Sequence, residues 1–225
     1  MKILAIGSEE RLAELRRKIS PAHECRYEVT DHSETDHSGY DVIFDLEYDD
    51  LIDYTEIYDS FTGVLIIGAV KESLAEKVLI HGQGGVFKLI GINSLPTFIN
   101  RPKAEISLYR DEKHEETREL FREMGWEDAI IVKDRVGMVS PRILFQIINE
   151  ACYTLQEGTA SAEDIDSSMK LGTNYPYGPF EWGDRIGVKH VYETLETMYE
   201  DTHDERFKPC PLLKDKYLRR ERLLV

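Results

Sequence analysis

The sequence is short of cysteine, of positive charge and of long apolar runs. Its three cysteines (Cys25, Cys152 and Cys210) lack metal-ligand spacing and predict neither disulfide bonds nor a cysteine metal site. Apolar runs such as GVLIIGAV fall well below the roughly 20 residues of a membrane helix, and no charged-then-apolar leader precedes the first strand. We therefore expect a cytoplasmic protein with no membrane partner.

The charge balance argues against one class of partner. With 43 acidic against 28 basic residues, the formal net charge is -15. A negative surface repels phosphate backbones, so we expect no nucleic acid partner.

Short apolar segments alternate with helical patterns in the first half of the 225 residues. Lys2 to Ile6 predicts a strand followed by a helix that Ser8 caps, and later strands fall in YDVIFDL, TGVLIIGAV, KLIGINSL, the start of SLYRDEK, and AIIV. Helices are expected over 50–60, over 71–81 and before Gly125. This alternation predicts a mostly parallel sheet covered by helices over residues 1–134.

Residues 135–225 have helical patterns throughout. Ser140 is the expected N-cap of a helix with Pro141 in its first turn, and Ser161 and Asp164 are spaced as a capping box before a helix that ends at Gly172. The fold class predicted is thus α/β followed by all-α, with a domain boundary near Arg135.

The glycine fingerprint for dinucleotide binding is missing from the first strand-turn-helix. That fingerprint needs three glycines for the turn, the pyrophosphate and helix packing, whereas IGSEER keeps only Gly7. Glu9, Glu10 and Arg11 stand at the positions that would face phosphate, and two carboxylates would repel it. Gly7 is therefore a weak cofactor-binding candidate, and HGQGGVF, which precedes a strand, is read as a loop.

Histidines cluster near acidic residues without metal-site spacing. His32 and His37 lie close to Asp31 and Glu34, but no helical HxxxH pattern accompanies them. We interpret the segment as a polar loop and expect no metal. The sequence also contains no serine elbow and no P-loop.

The helical half resembles the C-terminal domain of the 3-hydroxyacyl-CoA dehydrogenase family. The words NEA, EDID, KLG, GPFE and D.IG, then P.P.L, occur in the family order, and the likeness is dense over 132–213. The resemblance implies an acyl-CoA-binding, homodimer-forming helical domain behind a dinucleotide-binding Rossmann domain. It also explains the proline- and glycine-rich stretch NYPYGPFEWGDRIG as a turn between helices of that domain.

A weaker, gap-free alignment extends the resemblance into the first half. It puts Asn93 at the place of the family's catalytic histidine and Glu105 at the glutamate that orients it, while Pro141 replaces the family's asparagine. A neutral amide cannot accept the 3-hydroxyl proton as an imidazole does. The chain also ends in RRERLLV rather than in the family's glycine- and tyrosine-containing tail.

Three hypotheses stay open at this point. The first is a diverged family member with a degenerate Rossmann-like domain, weak or absent NAD chemistry and retained acyl-CoA binding. The second is an active NAD-dependent 3-hydroxyacyl-CoA dehydrogenase of fatty-acid metabolism that uses the substituted residues. The third is a dimeric interaction protein without a ligand.

Overall fold

The computed structural model describes residues 1–29, 37–50, 58, 60–81, 88–109 and 114–224. They form two compact units, Met1–Met138 and Val139–Val225. The functional division predicted at residues 1–134 and 135–225 stays a prediction. Within the described ranges, no helix has both the length and the apolarity needed to span a bilayer.

The first unit is built on a seven-stranded, mostly parallel sheet. Its strands are β1 (Lys2–Gly7), β2 (Glu24–Val29), β3 (Val42–Asp45), β4 (Val64–Gly68), β5 (Lys88–Ile92), β6 (Lys103–Leu108) and β7 (Asp128–Val132). They are ordered β2-β1-β3-β4-β5-β6-β7, and only the pairing of β5 with β6 is antiparallel. The predicted Rossmann-like α/β architecture is confirmed.

Helices and short turns cover this sheet. They are α1 (Glu9–Lys18), a 3₁₀ helix (Tyr48–Asp50), α2 (Leu74–His81) and α3 (His114–Met124). Leu12 and Leu15 of α1 share one apolar core with Phe121 and Met124 of α3 and with alternate strand residues such as Phe44. Residues on the opposite face, such as Leu4, Ile43 and Ile67, are equally buried, as expected of parallel strands covered on both sides.

Three details of the first unit differ from the prediction or lie beyond it. The strand β2 is absent from the prediction because its sequence, ECRYEV, is charged and half exposed rather than apolar. Ser8 occupies the N-cap position of α1, but its side chain makes no capping hydrogen bond. The helix predicted over 50–60 and the loop predicted in HGQGGVF lie largely outside the described residues.

The second unit is helical, as predicted. It comprises α4 (Ser140–Gln156), α5 (Ala162–Thr173), α6 (Pro179–Ile186), α7 (Val188–Thr202), a 3₁₀ helix (Glu205–Phe207) and α8 (Pro211–Arg219). The predicted capping pair forms, since the backbone N–H of Asp164 donates to Oγ of Ser161 over 3.1 Å.

Two predicted helix ends in this unit are wrong. The N-cap of α4 is Val139 rather than Ser140, which is already helical. Gly172 lies inside α5, and the helix ends at Asn174, whose left-handed backbone (φ 56°) turns the chain as a terminal glycine would. The stretch read as a plain turn also contains α6, a helix of 8 residues that Pro179 begins.

Candidate functional site

The strand order of the sheet reverses at β1, which pairs with β2 on one side and β3 on the other. In open α/β sheets the crevice at such a point, outside the carboxyl ends of the strands, is the usual ligand site. Gly7 ends β1 there, and Leu46 directly follows β3. The Cβ of Leu46 lies 3.1 Å from the position that a Cβ on Gly7 would take, and Leu46 is fully buried. Gly7 therefore faces a leucine of its own chain at close range.

Arg11 extends from α1 to the same edge of the sheet. Its side chain is 1% exposed, and Nη1 donates to the backbone carbonyl of Leu46. Nη2 donates to Oδ2 of Asp50 over 2.8 Å, and Nζ of Lys71 lies 2.5 Å from the other oxygen of Asp50. The sequence predicts that Glu9, Glu10 and Arg11 would face the phosphate of a dinucleotide. In the structure, Glu9 and Glu10 are exposed to solvent, whereas the side chain of Arg11 is buried.

A second carboxylate is held next to the first. Oδ2 of Asp49 accepts the backbone N–H groups of Val70 (2.5 Å) and Lys71 (3.1 Å), which follow β4. Nζ of Lys77 on α2 lies 3.2 Å from Oδ1 of Asp49 and 3.0 Å from Glu72. Lys77 is 3% exposed, so its charge is compensated by carboxylates rather than by water.

Electrostatics keep Lys77 charged. Burial lowers the pKa of Lys77, but the carboxylates of Asp49 and Glu72 outweigh it, and the pKa ends above its ordinary value. Its ammonium also lies 4.5 Å from the ring centroid of Tyr48, and burial raises the pKa of that phenol. The carboxyl edge of the sheet is therefore occupied by a buried ionic network, a feature that residue spacing alone does not reveal.

The structure brings Asn93 and Glu105 together. Asn93 follows β5 and is 2% exposed, and its Nδ2 donates to Oε2 of Glu105 on β6 over 3.0 Å. Its Oδ1 accepts from the backbone N–H of Leu95 at 3.4 Å. The pair has the contact predicted for a histidine and its orienting glutamate, with an amide in the place of the imidazole. Their assignment to family catalytic positions stays a prediction.

Pro141 lies in the second unit, in the first turn of α4, where it is buried. Proline suits that position because its missing N–H would have no helical partner there. Its side chain has no hydrogen-bond donor or acceptor, so it cannot take the polar role of an asparagine. Its alignment with the family's asparagine stays a prediction.

In the second unit, the motifs that resemble the family contain polar side chains with structural roles. Asn149 donates to the backbone carbonyl of Lys208 (2.9 Å) and accepts from the N–H of Cys210 (2.7 Å). Asp184 accepts the N–H groups of Leu223 (2.6 Å) and Leu224 (3.0 Å). Both polar side chains thus attach later chain segments to the helices.

Asp166 gives the Gly-Pro-Phe-Glu motif a structural role. Its carboxylate, from α5, accepts the N–H groups of Phe180 (2.8 Å) and Glu181 (2.9 Å) at the start of α6. A Cβ on Gly178 would lie 2.2 Å from Cγ of Asp166, so a glycine is needed where the carboxylate caps the helix. The sequence motifs of this half therefore have a structural role, since they join its helices to one another.

A groove of 890 Å³ runs along α4 and α5 within the second unit. Its apolar wall includes Ile143, Ile147, Ala151, Ile165, Met169 and Pro179. Ile143 is 59% exposed, which is high for an isoleucine on a helix with a buried face. The groove offers an apolar surface for a ligand or a second chain.

Among residues 1–29, 37–50, 58, 60–81, 88–109 and 114–224, no group of three or more His, Cys, Asp or Glu side chains is placed to hold a metal ion. His32, with its neighbours Asp31 and Glu34, lies outside the described residues.

A doubly wound α/β unit followed by a helical unit with these motifs defines a dehydrogenase-type fold, and comparison with known proteins agrees. Residues 137–222 match the model of the 3-hydroxyacyl-CoA dehydrogenase C-terminal domain. A 3-hydroxyadipyl-CoA dehydrogenase of Escherichia coli K12 is 44% identical over 87 residues, 39% of this chain and 18% of that protein. A probable 3-hydroxybutyryl-CoA dehydrogenase of Bacillus subtilis 168 is 42% identical over 100 residues, 44% of this chain and 34% of that protein.

The matched stretch thus spans only 18% and 34% of the length of these two relatives. The crystal structure of an (S)-3-hydroxybutyryl-CoA dehydrogenase from Ralstonia eutropha has a TM-score of 0.69 and covers 97% of this chain and 93% of that chain at 21% identity, which shows a shared fold. The helical half of the chain is thus similar to the C-terminal domain of the 3-hydroxyacyl-CoA dehydrogenase family, as its motifs predict.

This family implies a nicotinamide dinucleotide at the crevice beside β1. The residues present do not fit it, because the turn after Gly7 lacks the further glycines of the fingerprint and the buried ion pair of Arg11 with Asp50 lies at the same edge. A pyrophosphate would have to displace buried groups that already satisfy one another.

Proposed function

We propose that this chain is a diverged 3-hydroxyacyl-CoA dehydrogenase-like protein with weak or no NAD-dependent activity. The observation that carries the proposal is the buried pair of Arg11 and Asp50, which lies at the carboxyl edge of the sheet beside Gly7. Breaking a buried ion pair costs about 3–5 kcal/mol. A dinucleotide would have to recover that energy before any net binding appeared.

The polar site supports the same conclusion. If Asn93 and Glu105 stand at the family's catalytic positions, the amide of Asn93 hydrogen-bonds a substrate oxygen but takes up no proton. Loss of a positioned general base typically lowers the rate about 10²- to 10⁴-fold. The mechanism left to these residues is therefore binding and orientation rather than hydride transfer coupled to proton abstraction.

The helical unit is the part retained from the family, and we propose two uses for it. One is binding of an acyl-CoA-type small molecule, in keeping with the CoA-linked names of the relatives. The other is a homodimer in which the apolar groove of α4 and α5 packs against a second copy. A dimer without a ligand would make the chain an interaction protein.

Isothermal titration with NADH and, separately, with acetoacetyl-CoA tests the proposal. We expect no low-micromolar NADH binding, whereas heat from acetoacetyl-CoA would favour the ligand-binding form over the interaction protein. A working 3-hydroxybutyryl-CoA dehydrogenase measured under the same conditions serves as the positive control. Low-micromolar NADH binding together with ordinary turnover would instead establish the active dehydrogenase.

A further inference from the structure

We draw no further inference here: the strongest candidate, the apolar groove of 890 Å³ along α4 and α5 of the helical unit, belongs to the site for which a ligand and a second copy are already proposed, and nothing in the described part of the structure shows which of them covers it.

Discussion

The side-chain amide of Asn93 donates to Oε2 of Glu105 over 3.0 Å, and the backbone N–H of Asn93 donates to the backbone carbonyl of Glu105 over 2.9 Å. The amide itself is held at both ends, since Nδ2 donates to Glu105 and Oδ1 accepts from the backbone N–H of Leu95. An asparagine held in this way has a defined orientation for binding a polar group, but it has no site that takes up a proton at neutral pH.

Replacing Asn93 with histidine should not restore dehydrogenase activity. The imidazole would supply a proton-transfer group beside Glu105, yet the buried Arg11 network would still lie at the edge of the sheet beside Gly7, so NADH, the hydride donor of the assay, would still not bind. We expect acetoacetyl-CoA-dependent NADH oxidation to stay within about tenfold of wild type, far short of the 10²- to 10⁴-fold that a positioned base contributes.

A matched variant distinguishes lost chemistry from lost folding. Asn93→Gln keeps the neutral amide, and comparing its unfolding midpoint with that of Asn93→His reports what a substitution costs at this buried position. Ordinary turnover in wild type would refute the loss of activity, and strong recovery in Asn93→His would show that cofactor binding had survived.

The fold is readable from the sequence wherever a segment is buried on both faces. The strands β1, β3, β4 and β5 are short apolar runs because parallel strands under two layers of helix bury every side chain. The edge strand β2 carries charged residues on exposed positions and leaves no such pattern. Hydrophobic pattern thus predicts the central strands and the edge strand β7, but not the charged edge strand β2.

The site is less readable, because its residues act through contacts between distant segments. The sequence indicates the loss of the glycine fingerprint around Gly7, and it pairs Asn93 with Glu105 by resemblance alone. It does not indicate that Arg11 turns inward to Asp50, 39 positions away. An arginine in the first turn of a helix is usually solvated, so only the three-dimensional structure shows that it is buried.

Alkaline pH should destabilise the first unit through Lys77. The pKa of Lys77 is raised above its ordinary 10.5, so the folded state holds this proton more tightly than the unfolded state. Its contribution is then complete below pH 10.5 and is lost as pH rises through the folded pKa, since stability falls with pH wherever the folded state binds more protons. We expect the free energy of unfolding in urea to fall as the pH rises above 10.5.

Two substitutions test that assignment. Lys77→Met should lower stability at pH 8 by about 3 kcal/mol, because Asp49 and Glu72 lose a buried partner, and should flatten the alkaline decline. Lys77→Arg should move the decline to higher pH, since a guanidinium stays protonated beyond pH 12. A decline as steep in Lys77→Met as in wild type would assign the effect to other groups.

The homodimer proposal predicts a mass near twice 26.0 kDa by light scattering at micromolar concentration. Ile143→Glu places a charge on the apolar wall of the groove and should weaken association by at least about tenfold, because an unpaired charge is costly in an interface. Leu218→Glu, an equivalent change at a residue that is 66% exposed on α8, is the matched control. A monomer in wild type at that concentration would contradict the proposal.

The junction between α5 and α6 offers a test of why the Gly-Pro-Phe-Glu motif is needed for the fold. Asp166 caps α6 through two N–H groups, so Asp166→Ala should cost about 2–4 kcal/mol, a cap plus a buried unsatisfied donor. Gly178→Ala should cost about 1–3 kcal/mol, because its Cβ would lie 2.2 Å from Cγ of Asp166 and the packing would have to shift.

The two costs should not add. In the Asp166→Ala background the atom that the new Cβ meets is gone, so Gly178→Ala should cost at least about 0.5 kcal/mol less than it does in wild type. Gly172→Ala is the control, because that glycine lies inside α5 with nothing within 4 Å of the added Cβ, and it should stabilise the unit by about 0.5–1 kcal/mol. Additive costs for Asp166→Ala and Gly178→Ala in urea unfolding would show that Gly178 is required for a reason other than the carboxylate, and the Gly-Pro-Phe-Glu word would then need a different explanation.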